Sequence, residues 1–178
     1  MSSKIILFFL IISLNFSCSH YQILDYEKLP FNTIHISEVR NDSFAPNIES
    51  TFNKKLREAI LGYGKLRISK DESNSDVDLS IIIKNYDRNS ATRNIDDAGR
   101  INSLMFTLSA VVSLYDNSNQ KYLIKEYVLE SSENIYFPQD QGTVELMDFQ
   151  EAEYSGIPRL CDNLINQVMD LIVGIWSY

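Results

Sequence analysis

Apolar residues along this 178-residue chain recur with two periods, and the switches between them predict the order of its elements. From Thr33 to Val39, Ile34, Ile36 and Glu38 alternate with Thr33, His35, Ser37 and Val39, a strand pattern with one apolar face. Asn41-Asp42-Ser43 is turn chemistry, and Pro46 suits the first turn of a helix, where a missing N–H leaves no bond unmade. Ile48, Phe52, Leu56 and Ile60 then recur at steps of four, with Lys54, Lys55 and Glu58 on the solvated side, until Gly62 and Gly64 end the helix. Leu66-Arg67-Ile68 reads as a short strand. The acidic turn Asp71 to Asp76 separates it from Val77 to Tyr86, where Val77, Leu79, Ile81 and Ile83 face one way.

A polar loop, Asp87 to Asn102, leads to the longest alternation, in which Leu104, Phe106, Leu108, Ala110, Val112 and Leu114 share a face. The turn Asp116 to Gln120 returns the chain through Lys121 to Tyr136 as an antiparallel hairpin. Leu160, Leu164, Val168, Ile172 and Ile175 restore the helical period, and Pro158 either opens this helix or kinks a longer one beginning near Glu145. The predicted fold is α+β, in the order β-α-β-β-β-β-α. The first strand, helix and second strand form a crossover, and two helices pack on one face of a mixed four- to five-stranded sheet.

The first residues follow a different logic. Lys4 and the ten-residue apolar run Ile5 to Leu14 read as a secretory signal, too short to cross a bilayer. The run ends at Asn15-Phe16-Ser17-Cys18, a small residue before a cysteine, which resembles the box at which bacterial lipoproteins are cleaved and acylated; Asn15 replaces its usual aliphatic residue. The expected divisions are a signal peptide at 1–17, a lipidated N-terminus on Cys18 with a tether at 18–29, and a single domain at 30–178. The alternative is an ordinary secretory signal with Cys18 a plain thiol.

Charge narrows the function. The chain has 16 bases and 24 acids, and loss of residues 1–17 removes only Lys4, leaving a formal charge of −9. Nucleic acid is not an expected partner, because phosphate backbones require a dense basic face. Two histidines far apart, no glycine-rich phosphate loop and no metal-ligand spacing predict neither enzyme nor cofactor. Cys161, in an apolar helical pattern, reads as a buried structural thiol.

Two charge features stand out. Arg88, Arg93 and Arg100 bring three guanidinium groups into the polar loop before the long strand. They suit a phosphorylated ligand, or else balance Asp87, Asp96 and Asp97 on a solvated loop. Between Lys125 and Arg159 the chain has eight acids and no base, together with Tyr136, Phe137, Met147, Phe149 and Tyr154. That stretch reads either as an acidic, aromatic surface for a protein partner or as ordinary solvated acids.

Several segments together resemble the LPS-assembly lipoprotein LptE family: Cys18 followed by Tyr21, the strand running into Asn41 to Glu49, Leu56-Arg57, Gly64 to Arg67, Asp76 to Leu79, Tyr86 to Arg88, and Gly99-Arg100. The resemblance covers essentially the whole chain after residue 17. It implies a non-enzymatic outer-membrane lipoprotein, held by a lipid on Cys18, that plugs an LptD-type β-barrel, assists its assembly and serves lipopolysaccharide transport to the cell surface. It further implies lipopolysaccharide binding through a basic residue before the long strand, for which Arg93 and Arg100 are the matching positions. The family's second basic contribution has no counterpart in the acidic interval after the hairpin. A similar strand, turn, helix and strand pattern occurs in TolB-like and CsgG-like lipoprotein interaction modules, which is the alternative class.

Overall fold

The computed structural model describes residues 29–93, 101–136 and 149–174. Its elements are β1 (Thr33–Ile36), β2 (Arg40–Asn41), α1 (Ile48–Tyr63), β3 (Arg67–Ser69), a single 3₁₀ turn (Glu72–Asn74), β4 (Val77–Arg93), β5 (Ile101–Asp116), β6 (Lys121–Tyr136) and α2 (Phe149–Gly174). Five strands lie in the order β3-β1-β4-β5-β6, and the two-residue β2 adds a sixth beside β4. Pairing is parallel for β1 with β3 and β4 and antiparallel for β4-β5-β6, so the sheet is mixed as predicted.

Alternation puts the apolar half of each strand on one face, and both helices cover that face. Ile34, Ile36, Val77, Leu79, Ile81 and Ile83, and the six residues from Leu104 to Leu114 named above, are buried there. The α1 stripe of Ile48, Phe52, Leu56 and Ile60 is fully buried, as are Leu160, Leu164, Val168 and Ile172 of α2. Removing each such side chain from water contributes about 1.5–3 kcal/mol before chain entropy is subtracted. The fold class therefore agrees with the amphipathic reading.

The differences lie at element ends. β1 stops at Ile36, and Val39 rather than Glu38 turns into the core, because the chain leaves the pleat between β1 and β2. Pro46 precedes α1 instead of opening it, and Asn47 caps the helix in the left-handed conformation with φ 52°. Gly64, with φ 74°, ends α1 as expected of a residue without a Cβ. Pro158 lies inside the 26-residue α2, so the longer, interrupted helix is the correct alternative.

The supposed loop Asp87 to Asn102 is largely strand: β4 continues to Arg93 and β5 begins at Ile101. Backbone pairing carries these polar residues across without an apolar alternation to announce it, and β4 has register shifts at Ile83/Asn85 and again between Ser90 and Arg93. The edge strand β6 has its own irregularity. Glu126 adopts φ 49° beside the register shift at Val112/Leu114, and its N–H donates to Ser113 Oγ at 3.1 Å. Farther along, Gln167 Nε2 of α2 donates to the Glu130 carbonyl at 3.0 Å.

Candidate functional site

The irregularity at Lys84 decides where β4 aims its side chains. Val77 to Ile83 obey simple alternation, but the extra residue moves Tyr86 and Arg88 to the helix-covered face, opposite Leu108 and Phe106. There they meet Glu153, from the part of α2 that precedes Pro158. Tyr86 O–H donates to Glu153 Oε1 at 2.8 Å, and Arg88 donates to the same oxygen at 3.2 Å. The Tyr86 ring stacks on Phe106 with centroids 6.1 Å apart, and the Arg88 guanidinium carbon lies 5.7 Å from the Tyr86 ring centroid. Burial, reinforced by the Glu153 carboxylate that accepts its hydrogen bond, pushes the Tyr86 phenol well above its ordinary pKa.

Beside this cluster lies a groove of about 370 Å³ lined by Pro46, Asn47, Thr51, Glu153, Tyr154, Ile157 and Pro158. Its rim displays Tyr154, 85% exposed, and the loop entering α1 displays Phe44, 93% exposed. That loop is tightly held. Asn41 Oδ1 accepts from both the N–H and the hydroxyl of Ser43, Asn41 Nδ2 donates to the Ala45 carbonyl, and Asp42 accepts from Arg40 and Lys84. Those two bases hold the Asp42 carboxyl down to about 2.

Among the predicted arginines, Arg88 is engaged with Glu153 and thus belongs to the helix-sheet joint. Arg93 closes β4 opposite Ile101, at the end of the sheet reached by the β4–β5 connection. Arg100 and the lipidation candidate Cys18 lie outside the described residues. Glu153 was hidden in the acidic interval because its partners are more than sixty positions away in sequence. The bulge that aims Tyr86 left no apolar signature either.

On the uncovered face, His35 Nδ1 and Asp78 Oδ1 are 2.6 Å apart, and Ser37 Oγ donates to both oxygens of Asp78 at 3.0 and 2.9 Å. The serine is therefore bonded to the acid and not to the imidazole, an arrangement that joins β1 to β4 and does not activate a nucleophile. Cys161 is buried, and burial pushes its thiol up to about 12. Among the described residues there is no group of His, Cys, Asp and Glu suited to a metal ion, and no helix is long and apolar enough to cross a membrane.

This two-helix, one-sided mixed sheet is the architecture of a group of bacterial lipoproteins. It is similar to lipoprotein B from Nitrosomonas europaea, with a TM-score of 0.58, 13% identity, and coverage of 84% of this chain and 86% of that one. It is also similar to a minor lipoprotein from Acinetobacter baumannii, with a TM-score of 0.50, 10% identity, and coverage of 81% and 94%. For the rare lipoprotein B from Shewanella oneidensis the corresponding values are 0.50, 9%, 79% and 95%. No curated protein matches significantly in sequence. The model of the lipopolysaccharide-assembly family LptE matches residues 31–172, so the chain belongs to the LptE family, and its general role is in lipopolysaccharide assembly.

Proposed function

We propose that this protein is a non-enzymatic lipoprotein of the outer membrane, acylated on Cys18, that occupies the lumen of an LptD-type β-barrel and supports its assembly and the delivery of lipopolysaccharide. The family match over residues 31–172 is the observation that carries this reading, and it favours LptE over the TolB-like and CsgG-like alternative. The sheet is covered by both helices on one side and open on the other. His35, Ser37, Asp78, Thr107 and Ser132 occupy an uncovered sheet face suited to a barrel lumen, which is itself polar. Arg93 and Arg100 are the residues we assign to a lipid A phosphate. Arg88 is paired with Glu153.

The test is mild-detergent purification of the tagged full-length protein from outer membranes. A large heat-modifiable β-barrel recovered in equal amount supports the subunit reading, and an intact acylated lipoprotein recovered without one refutes it. Arg93→Glu with Arg100→Glu is expected to weaken lipopolysaccharide binding and to flatten its salt dependence. Unchanged binding and salt dependence would remove the phosphate assignment and leave the barrel partnership standing.

A further inference from the structure

The backbone of α2 is continuous, but its two parts are held to the domain by different means. Beyond Pro158, Leu160, Leu164, Val168 and Ile172 are buried, Lys55 of α1 donates to Asp162 at 2.6 Å, and Gln167 reaches the sheet. Before Pro158, the described side chains from Glu151 to Ser155 all lie outside the core, and Tyr154 is largely exposed. This part is tied to β4 by Glu153, which accepts from Tyr86 and Arg88. On the side towards α1 it borders the groove that Asn47 and Thr51 line opposite it.

The two parts meet at a weakened joint. Pro158 has no N–H for the Tyr154 carbonyl, so one bond of the helix ladder is missing there. Two positions earlier, at Gly156, the helix backbone itself rests on the sheet: a Cβ would meet Ile135 Cδ1 at 3.1 Å and Phe106 Cδ2 at 3.3 Å. Without a side chain, Gly156 tolerates backbone rotations that other residues resist. Ile157, between the two, is buried and seats the joint on the core. A fixed pivot with an incomplete hydrogen-bond ladder therefore separates a well-anchored length of helix from a weakly anchored one.

We infer that residues 149–155 are a strap, hinged at 156–158 and latched by Glu153, that opens as a unit while the rest of the domain stays folded. Opening withdraws the Glu153 carboxylate from Arg88 and from the Tyr86 hydroxyl, two groups on β4 that closed α2 keeps engaged. The asymmetry of burial along α2 carries the inference, because a segment with few buried apolar side chains opens at a fraction of the cost of global unfolding. Pairing with β5 holds Tyr86 and Arg88 in place on β4, so the sheet needs no rearrangement when the strap lifts. The device depends on neither acylation nor a barrel.

The experiment is amide hydrogen exchange of the full-length protein at urea concentrations below its unfolding transition, read residue by residue in a mass spectrometer. Amides of the first helical turn have no intrahelical partner, so 153–157 are compared with 164–172. Exchange at 153–157 is expected to be at least about tenfold faster and nearly independent of urea, because local opening exposes little surface, while 164–172 respond steeply. Val168→Ala, a core truncation beyond the joint, is expected to speed 164–172 about tenfold and to leave 153–157 unchanged, since it weakens the open and closed forms alike. Glu153→Ala is expected to speed 155–157 about tenfold by raising the closed form alone. Equal rates and equal urea dependence in the two stretches, or acceleration of both by Val168→Ala, overturn the strap. Unchanged exchange at 155–157 in Glu153→Ala overturns Glu153 as its latch. The urea series requires no variant to fold.

Discussion

Replacing Tyr86 by Phe removes one oxygen from the joint between β4 and α2 and leaves the ring, its stacking on Phe106 and the Arg88 contact in place. The lost hydrogen bond is 2.8 Å long and ends on a carboxylate whose side chain is only 12% exposed. A hydrogen bond to a charged group contributes about 1.5–3 kcal/mol, and Arg88 remains to compensate Glu153, so a loss of about 1.5 kcal/mol is expected. For a domain of this size that lowers Tm by roughly 3–6 °C. Glu153→Gln keeps an acceptor for the phenol but removes the pairing with Arg88, which is 43% exposed and so contributes at most about 1 kcal/mol. Urea denaturation of Tyr86→Phe, Glu153→Ala and the double variant yields the coupling between the two side chains, expected at about 1–2 kcal/mol. Hydrogen exchange is expected to accelerate in the turns of α2 before Pro158, whose interrupted backbone makes them depend on this joint. A coupling below about 0.5 kcal/mol, which is within the error of additivity, would refute the claim that Glu153 is held through Tyr86.

Three further outcomes are expected. Gly156→Val destabilises by about 1–3 kcal/mol, since even a Cβ at this position meets Ile135 Cδ1 at 3.1 Å and Phe106 Cδ2 at 3.3 Å; Gly156→Ala costs less because helix propensity offsets part of the crowding, and thermal melts of the pair measure the difference. Cys161 resists iodoacetamide in the native protein at pH 8 and reacts once urea unfolds the chain, because burial both hides the thiol and holds it protonated up to about 12. Asp76→Ala costs about 1–3 kcal/mol at pH 7 by leaving two backbone N–H groups without their acceptor. Those bonds hold the Asp76 carboxyl below its ordinary value, so its contribution is present above about pH 4 and is lost as pH falls through the folded value; denaturation curves of wild type and variant are expected to converge on acidification.

The covered half of the sheet was legible because burial imposes a period on sequence. Ile48 to Ile60 and Leu104 to Leu114 identify their own faces, and each predicted position is buried. Legibility ended where the backbone rather than the side chains sets the structure. Asp87 to Arg93 are polar yet paired, since their place in the sheet is set by backbone pairing with β5 and not by an apolar alternation of their own. The register shift at Lys84 reverses the facing of Tyr86 and Arg88 without altering residue type, and it makes one of three clustered arginines a structural residue. Glu153 was readable as an acid but not as a partner, because its contacts are set by tertiary packing. The pairing of His35 with Asp78 depends on the parallel register of β1 and β4, which local pattern does not specify.

A 16-residue edge strand exposes backbone donors and acceptors that another chain could extend. In β6 the left-handed residue Glu126 breaks the straight line of those groups, and Gln167 occupies the carbonyl of Glu130. A protein confined to a membrane surface meets copies of itself in two dimensions, where encounters are frequent and orientations are already aligned. The two interruptions make this edge a poorer template for a second strand, so such encounters would less readily become a shared sheet.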